Sequence, residues 1–92
     1  ITKDLNGIVT SWNAAATKRF GYSESEMVGS PIFKVVPEGK RSEELDLLRR
    51  SSLLEEIEPL RTERLHRDGT PVEVLLKVAP LVDADGKLLG IS

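Results

Sequence analysis

Asp4-Leu-Asn-Gly-Ile-Val-Thr-Ser-Trp-Asn13 is the stretch that decides the fold. Asn6-Gly7 favours the left-handed backbone of a two-residue hairpin loop, and strand-like sequence lies on both sides of it. Ile1 to Lys3 and Ile8 to Trp12 therefore read as one hairpin. At its far end the pattern turns helical. Asn13 is placed to cap a short helix running through Phe20, and Gly21 to end it in the left-handed conformation.

The same local chemistry continues along the chain. Ser23 and Glu26 form an S-x-x-E capping box for a second short helix, with Tyr22 and Met27 as its hydrophobic staple and Gly29 as its stop. Pro31 and Pro37 bracket Ile32 to Val36, an apolar segment too short for a full helix. A longer helix is predicted over Ser42 to Ser52. Glu43 and Glu44 near its start and Arg49 and Arg50 near its end suit the helix dipole, and Leu45, Leu47 and Leu48 supply a buried face. The interleaved charges, Glu55 and Glu56 included, read as a solvated outer face.

Asp68-Gly69 and Asp85-Gly86 repeat the hairpin signal. They divide the remainder into a three-strand meander: Ile57 to Arg67, Val72 to Val82 and Lys87 to Ile91. Val72, Val74, Leu76 and Val78 share one strand face and Glu73 and Lys77 the other, as in a half-buried antiparallel strand. Two strand groups separated by a helical insertion must close around it to share a core. The helices then cover one sheet face, and the space between is the natural place for a ligand or for extra core side chains.

Bulk properties exclude several classes. The chain has 92 residues, enough for one small domain, with 39% apolar and 30% charged residues. A net charge of −2 argues against nucleic acid as a partner. Cysteine is absent, which removes disulfides, thiolate catalysis and Cys-based metal sites and suits a cytoplasmic location. No apolar run is long enough for membrane insertion. Strand-like sequence at both edges reads as one domain core, residues 1–92, cut from a longer polypeptide.

The stretch from Asp4 to Asn13, then Phe20-Gly-Tyr22, Glu26-Met-Val-Gly29 and Arg67-Asp-Gly69, resembles the PAS domain pattern, and Pro80 to Gly90 resembles that family's last hairpin. The similarity runs in order over nearly the whole chain and is nearest to the modules found upstream of bacterial histidine kinases and diguanylate cyclases. It implies an α+β fold: a five-stranded antiparallel sheet, order 2-1-5-4-3, with short helices inserted between strands 2 and 3 and packed on one face. It also implies a role in sensing, dimerisation or relay to an adjacent output domain in the same chain, such as a histidine kinase in a two-component phosphorelay.

The family's cofactors make demands that can be checked against residues. A flavin–cysteinyl adduct needs a cysteine, and there is none. Haem members of the kinase type carry an axial histidine in the long helix, where this chain has Glu43 and Glu44; its one histidine, His66, lies before a turn, so haem is disfavoured. No cofactor is nominated. Trp12 reads either as a platform for a flat ligand or, preferably, as a core aromatic beside the Asn13 cap.

The candidate pocket lining is Phe20, Met27, Ile32, Val36, Leu48, Leu60, Thr62, Arg64, Val74, Leu76 and Val78. If the even positions of the third strand face inward, Leu60, Thr62, Arg64 and His66 line the cavity side. A buried guanidinium then needs a carboxylate or phosphate partner, which suggests an acidic ligand. The alternative is that Arg64 reaches the edge or pairs with a surface glutamate. No catalytic constellation can be assembled around one histidine at a strand end.

Two functions follow. One is a sensor whose pocket binds a small molecule and biases the output domain. The other is a ligand-free dimerisation and relay module with a filled core, in which Leu65, Leu75 and Leu81 form an outer apolar surface for a flanking helix or a second copy in a homodimer.

Overall fold

The computed structural model describes all 92 residues. Two short strands, β1 (Thr2–Lys3) and β2 (Val9–Ser11), lead into helices α1 (Ala14–Phe20) and α2 (Glu24–Met27). Two 3-10 turns, Ile32–Val35 and Glu38–Lys40, precede the long helix α3 (Arg41–Ser52). Strands β3 (Leu60–Leu65), β4 (Pro71–Leu76), β5 (Pro80–Val82) and β6 (Leu88–Ile91) complete the chain. This is the expected α+β fold, an antiparallel sheet with short helices.

The sheet differs from expectation in one respect. It forms as a four-stranded part in the order β2-β1-β6-β5 and a two-stranded part, β3-β4. The segment expected as one strand, Val72 to Val82, is broken between Leu76 and Pro80 into β4 and β5. With those two taken as halves of one strand, the order is 2-1-5-4-3. Pro80 has no N–H for a ladder on either side, which accounts for an interruption near it. Proline also trims the preceding strand. It begins at Leu60, not Ile57, directly after Pro59.

All three hairpin loops hold three residues where two were expected. Asp4 N–H donates to the Ile8 carbonyl at 2.8 Å, His66 N–H to Thr70 at 2.9 Å and Asp83 N–H to Lys87 at 2.9 Å. Gly7, Gly69 and Gly86 occupy the third loop position at φ 80°, 90° and 79°, the left-handed residue such loops require. Asp4 Oδ1 accepts from Asn6 N–H and Ile8 N–H, and Asp83 Oδ1 accepts from Asp85 N–H and Lys87 N–H. In the middle loop His66 Nδ1 takes the same place, accepting from Asp68 N–H at 3.1 Å.

The helix ends follow the sequence. Asn13 Oδ1 accepts from Ala16 N–H at 2.8 Å, a bond worth about 1 kcal/mol, and Gly21 closes α1 at φ 82°. Both arms of the Ser23–Glu26 capping box are present. The Ser23 backbone N–H, its hydroxyl and the Arg67 guanidinium hold the Glu26 carboxyl below the usual carboxylate range. Arg67 binds both Glu26 oxygens, at 2.6 and 2.8 Å, and so fastens the β3–β4 loop to α2.

The core gathers Val9, Trp12, Ala16, Phe20, Met27, Ile32 and Val35. Trp12 lies in it, as the preferred reading held: its ring sits 5.8 Å from Phe20, and its Nε1–H donates to the Tyr22 carbonyl at 3.0 Å. One expected core residue is misplaced. Leu45 is 54% exposed, and the buried stripe of α3 is instead Glu44, Leu47, Leu48 and Ser51. Positions i, i+3, i+4 and i+7 share a helix face, and Leu45 falls off it.

Candidate functional site

The charges on α3 do not all face solvent. Glu44 is 1% exposed and Arg64, opposite it on β3, is 3% exposed. Arg64 Nη2 donates to Glu44 Oε2 at 2.9 Å, and Nη1 donates to Glu43 Oε1 at 3.2 Å and to the Glu63 carbonyl at 2.8 Å. Lys3 Nζ donates to the other Glu44 oxygen at 2.6 Å. The Thr62 hydroxyl donates to Glu43 Oε1 at 2.8 Å. The solvated-face reading of Glu43 and Glu44 is therefore corrected. Buried Arg64 and half-buried Lys3 draw the carboxylates inward, since a buried charge without a partner is costly.

Position follows from register. Lys3 stands opposite Val9, which is buried, so both point to the helix-covered side. On β3, Thr62 pairs with Val74 and Arg64 with Val72, which sets both polar side chains on the inner face. Arg64 thus faces inward, and its partners are glutamates of its own chain. Glu44 bridges a residue of each sheet part, Lys3 on β1 and Arg64 on β3.

Beside this cluster lies a cavity of about 330 Å³. Phe20, Ile32, Val35, Leu76 and Val78 give it apolar walls, and Lys3, Glu44, Arg64 and Lys77 add charge. Of the expected lining residues it brings together Phe20, Ile32, Arg64, Leu76 and Val78. Thr62 and Val74 line a separate, more polar groove of about 600 Å³ with Arg19, Lys40 and Arg61. Met27, Val36 and Leu48 are buried and line neither; half-buried Leu60 lines neither. His66 packs against Gly21 at the end of α1. Ile1, Lys3, Val35, Glu44, Leu75, Lys77 and Ser92 also line the cavity and were not among the expected lining residues.

No set of three or more His, Asp or Glu side chains is arranged to hold a metal ion. The molecule is thus a small α+β domain with helices laid over an antiparallel sheet and a partly charged cavity between them. The family model for the PAS fold matches residues 1–92, and the chain belongs to the PAS family, whose members are sensor and signalling modules. No curated protein matches the sequence significantly.

Solved structures agree on the fold. The chain is similar to the PAS domain of a protein from Colwellia psychrerythraea, with a TM-score of 0.88 and 19% identity, covering 99% of this chain and 77% of that one. It is similar to VqmA bound to DPO, with a TM-score of 0.77 and 18% identity, covering 98% of this chain and 46% of that one; the Vibrio cholerae VqmA dimer matches comparably. A light-oxygen-voltage domain studied with a flavin analogue matches with a TM-score of 0.72 and 20% identity, covering 89% of this chain and 61% of that one.

Proposed function

We propose that this PAS module senses a small molecule in the cavity beside Glu44 and relays its occupancy to an adjoining output domain of the histidine-kinase or diguanylate-cyclase kind. The observation that carries this reading is the cavity itself. Its walls are mostly apolar, and one of its charged lining residues, Glu44, ties α3 to both parts of the sheet. A ligand that binds one arrangement of α3 and the sheet better than another shifts the population between them. VqmA, of similar fold, is bound to DPO, which supports a small-molecule role for this fold. The proposed setting is the cytoplasm; no helix is long and apolar enough to cross a membrane.

Native mass spectrometry tests the proposal. The expected spectrum shows an added mass that disappears on denaturation and is reduced by Val35→Trp, which fills the cavity. A bare wild-type mass would count against sensing.

A second reading, homodimerisation through the sheet, is favoured by Leu75, which is 52% exposed, and by exposed Leu81. Here Leu75→Glu is expected to convert a dimer into a monomer in sedimentation velocity. A dimer that survives the substitution removes this interface.

A further inference from the structure

We infer that the cavity takes a small anionic amphiphile, a monocarboxylate with an apolar body, whose head group is received by Lys3, Arg64 and Lys77. This rests on reading the cavity as the ligand site and adds the chemical class of its occupant. Glu43 and Glu44 together match the charges of Lys3 and Arg64, and Lys77 adds a cation to the lining with no carboxylate of the chain paired to it. Glu43, the other carboxylate on Arg64, does not line the cavity.

The hydrogen-bond inventory points the same way. An arginine has five N–H donors and a lysine three. Arg64 makes three hydrogen bonds, to Glu43, Glu44 and the Glu63 carbonyl, and the Lys3 ammonium makes one, to Glu44. Donors therefore remain on both cations, beside walls formed by Phe20, Ile32, Val35, Leu76 and Val78. A ligand carboxylate can take up these donors in charge-assisted bonds, whereas an ammonium would meet like charge. At roughly 30 Å³ per heavy atom, 330 Å³ accommodates on the order of ten heavy atoms. Octanoate has that size, an apolar chain for the walls and one carboxylate for the cations.

The experiment titrates the protein with octanoate, octanamide and octylammonium, following backbone amide shifts by NMR. Octanoate is expected to bind about tenfold tighter than either analogue, with the largest shifts at Ile32, Val35, Leu76 and Val78. Lys77→Gln, at an exposed position that leaves the fold intact, is expected to weaken octanoate about three- to tenfold and leave octanamide unchanged. Octanamide binding as tightly as octanoate overturns the anionic assignment while the ligand cavity stands. Octanoate that does not bind, or binds elsewhere, overturns it as well, and the native mass spectrum then decides separately whether the cavity holds some other molecule.

Discussion

Glu44→Ala is expected to lower the stability of the fold by about 3–5 kcal/mol, a large share of the roughly 5–15 kcal/mol typical of a domain. The substitution leaves Arg64, 3% exposed, without its closest carboxylate and Lys3 without its only recorded partner. Glu43 holds Arg64 through Oε1 alone, which also accepts from Thr62, so replacing Glu44 would require Glu43 to turn its second oxygen toward the guanidinium. Urea unfolding followed by circular dichroism measures the loss. The double variant Glu44→Leu with Arg64→Met is expected to recover most of it, since a well-packed apolar pair can replace a buried ion pair at little cost. Lys3, left behind, can extend its stem to solvent. A loss below about 1 kcal/mol for Glu44→Ala would show that water or a rearranged Glu43 satisfies Arg64 in solution.

Trp12→Ala is the second large effect, about 3–5 kcal/mol by the same method. Trp12 is 2% exposed and closes β2 onto α1, with its ring against Phe20 and its N–H on the Tyr22 carbonyl. Truncation opens a cavity in the main core cluster and leaves that carbonyl without its indole donor. As the chain has one tryptophan, circular dichroism must replace intrinsic tryptophan fluorescence as the probe. Trp12→Phe, which keeps most of the volume, is expected to lose less than half as much. Equal losses for the two variants would assign the effect to the hydrogen bond instead of the packing.

What could be read from the sequence was local. The Asn13 and Ser23 caps, the Gly21 terminus and the three turns each depend on a few adjacent residues whose chemistry is nearly sufficient by itself. Loop length was one residue short because Asn-Gly and Asp-Gly were read without the aspartates ahead of them, Asp4 and Asp83, whose carboxylates span the longer loop. The strand break and the late start of β3 were signalled by Pro80 and Pro59.

The charge cluster was missed for a different reason. Residue type was allowed to outrank position on α3: Glu44 shares the i, i+3, i+4, i+7 face with Leu47, Leu48 and Ser51, and that spacing alone would have turned it inward. Its partners, Lys3 and Arg64, lie 41 and 20 residues away, and no local pattern joins them. The apolar half of the site was therefore visible in part, as Phe20, Ile32, Leu76 and Val78. The polar half depended on tertiary register.

That dependence gives the loops a second importance. Side chains alternate across a strand, so a hairpin loop fixes the parity of each residue in the strands it joins. Removing one residue between His66 and Thr70 would slip β3 against β4 by one step. Arg64 and Thr62 would then turn to the far side of the sheet, and Arg61 and Glu63 would turn toward Glu43 and Glu44. The composition would be almost unchanged, yet the Thr62 and Arg64 bonds to Glu43 and Glu44 would be lost and a third carboxylate would be brought beside these two. Gly69, at the end of that loop and outside the cluster, thus helps decide which side chains meet α3.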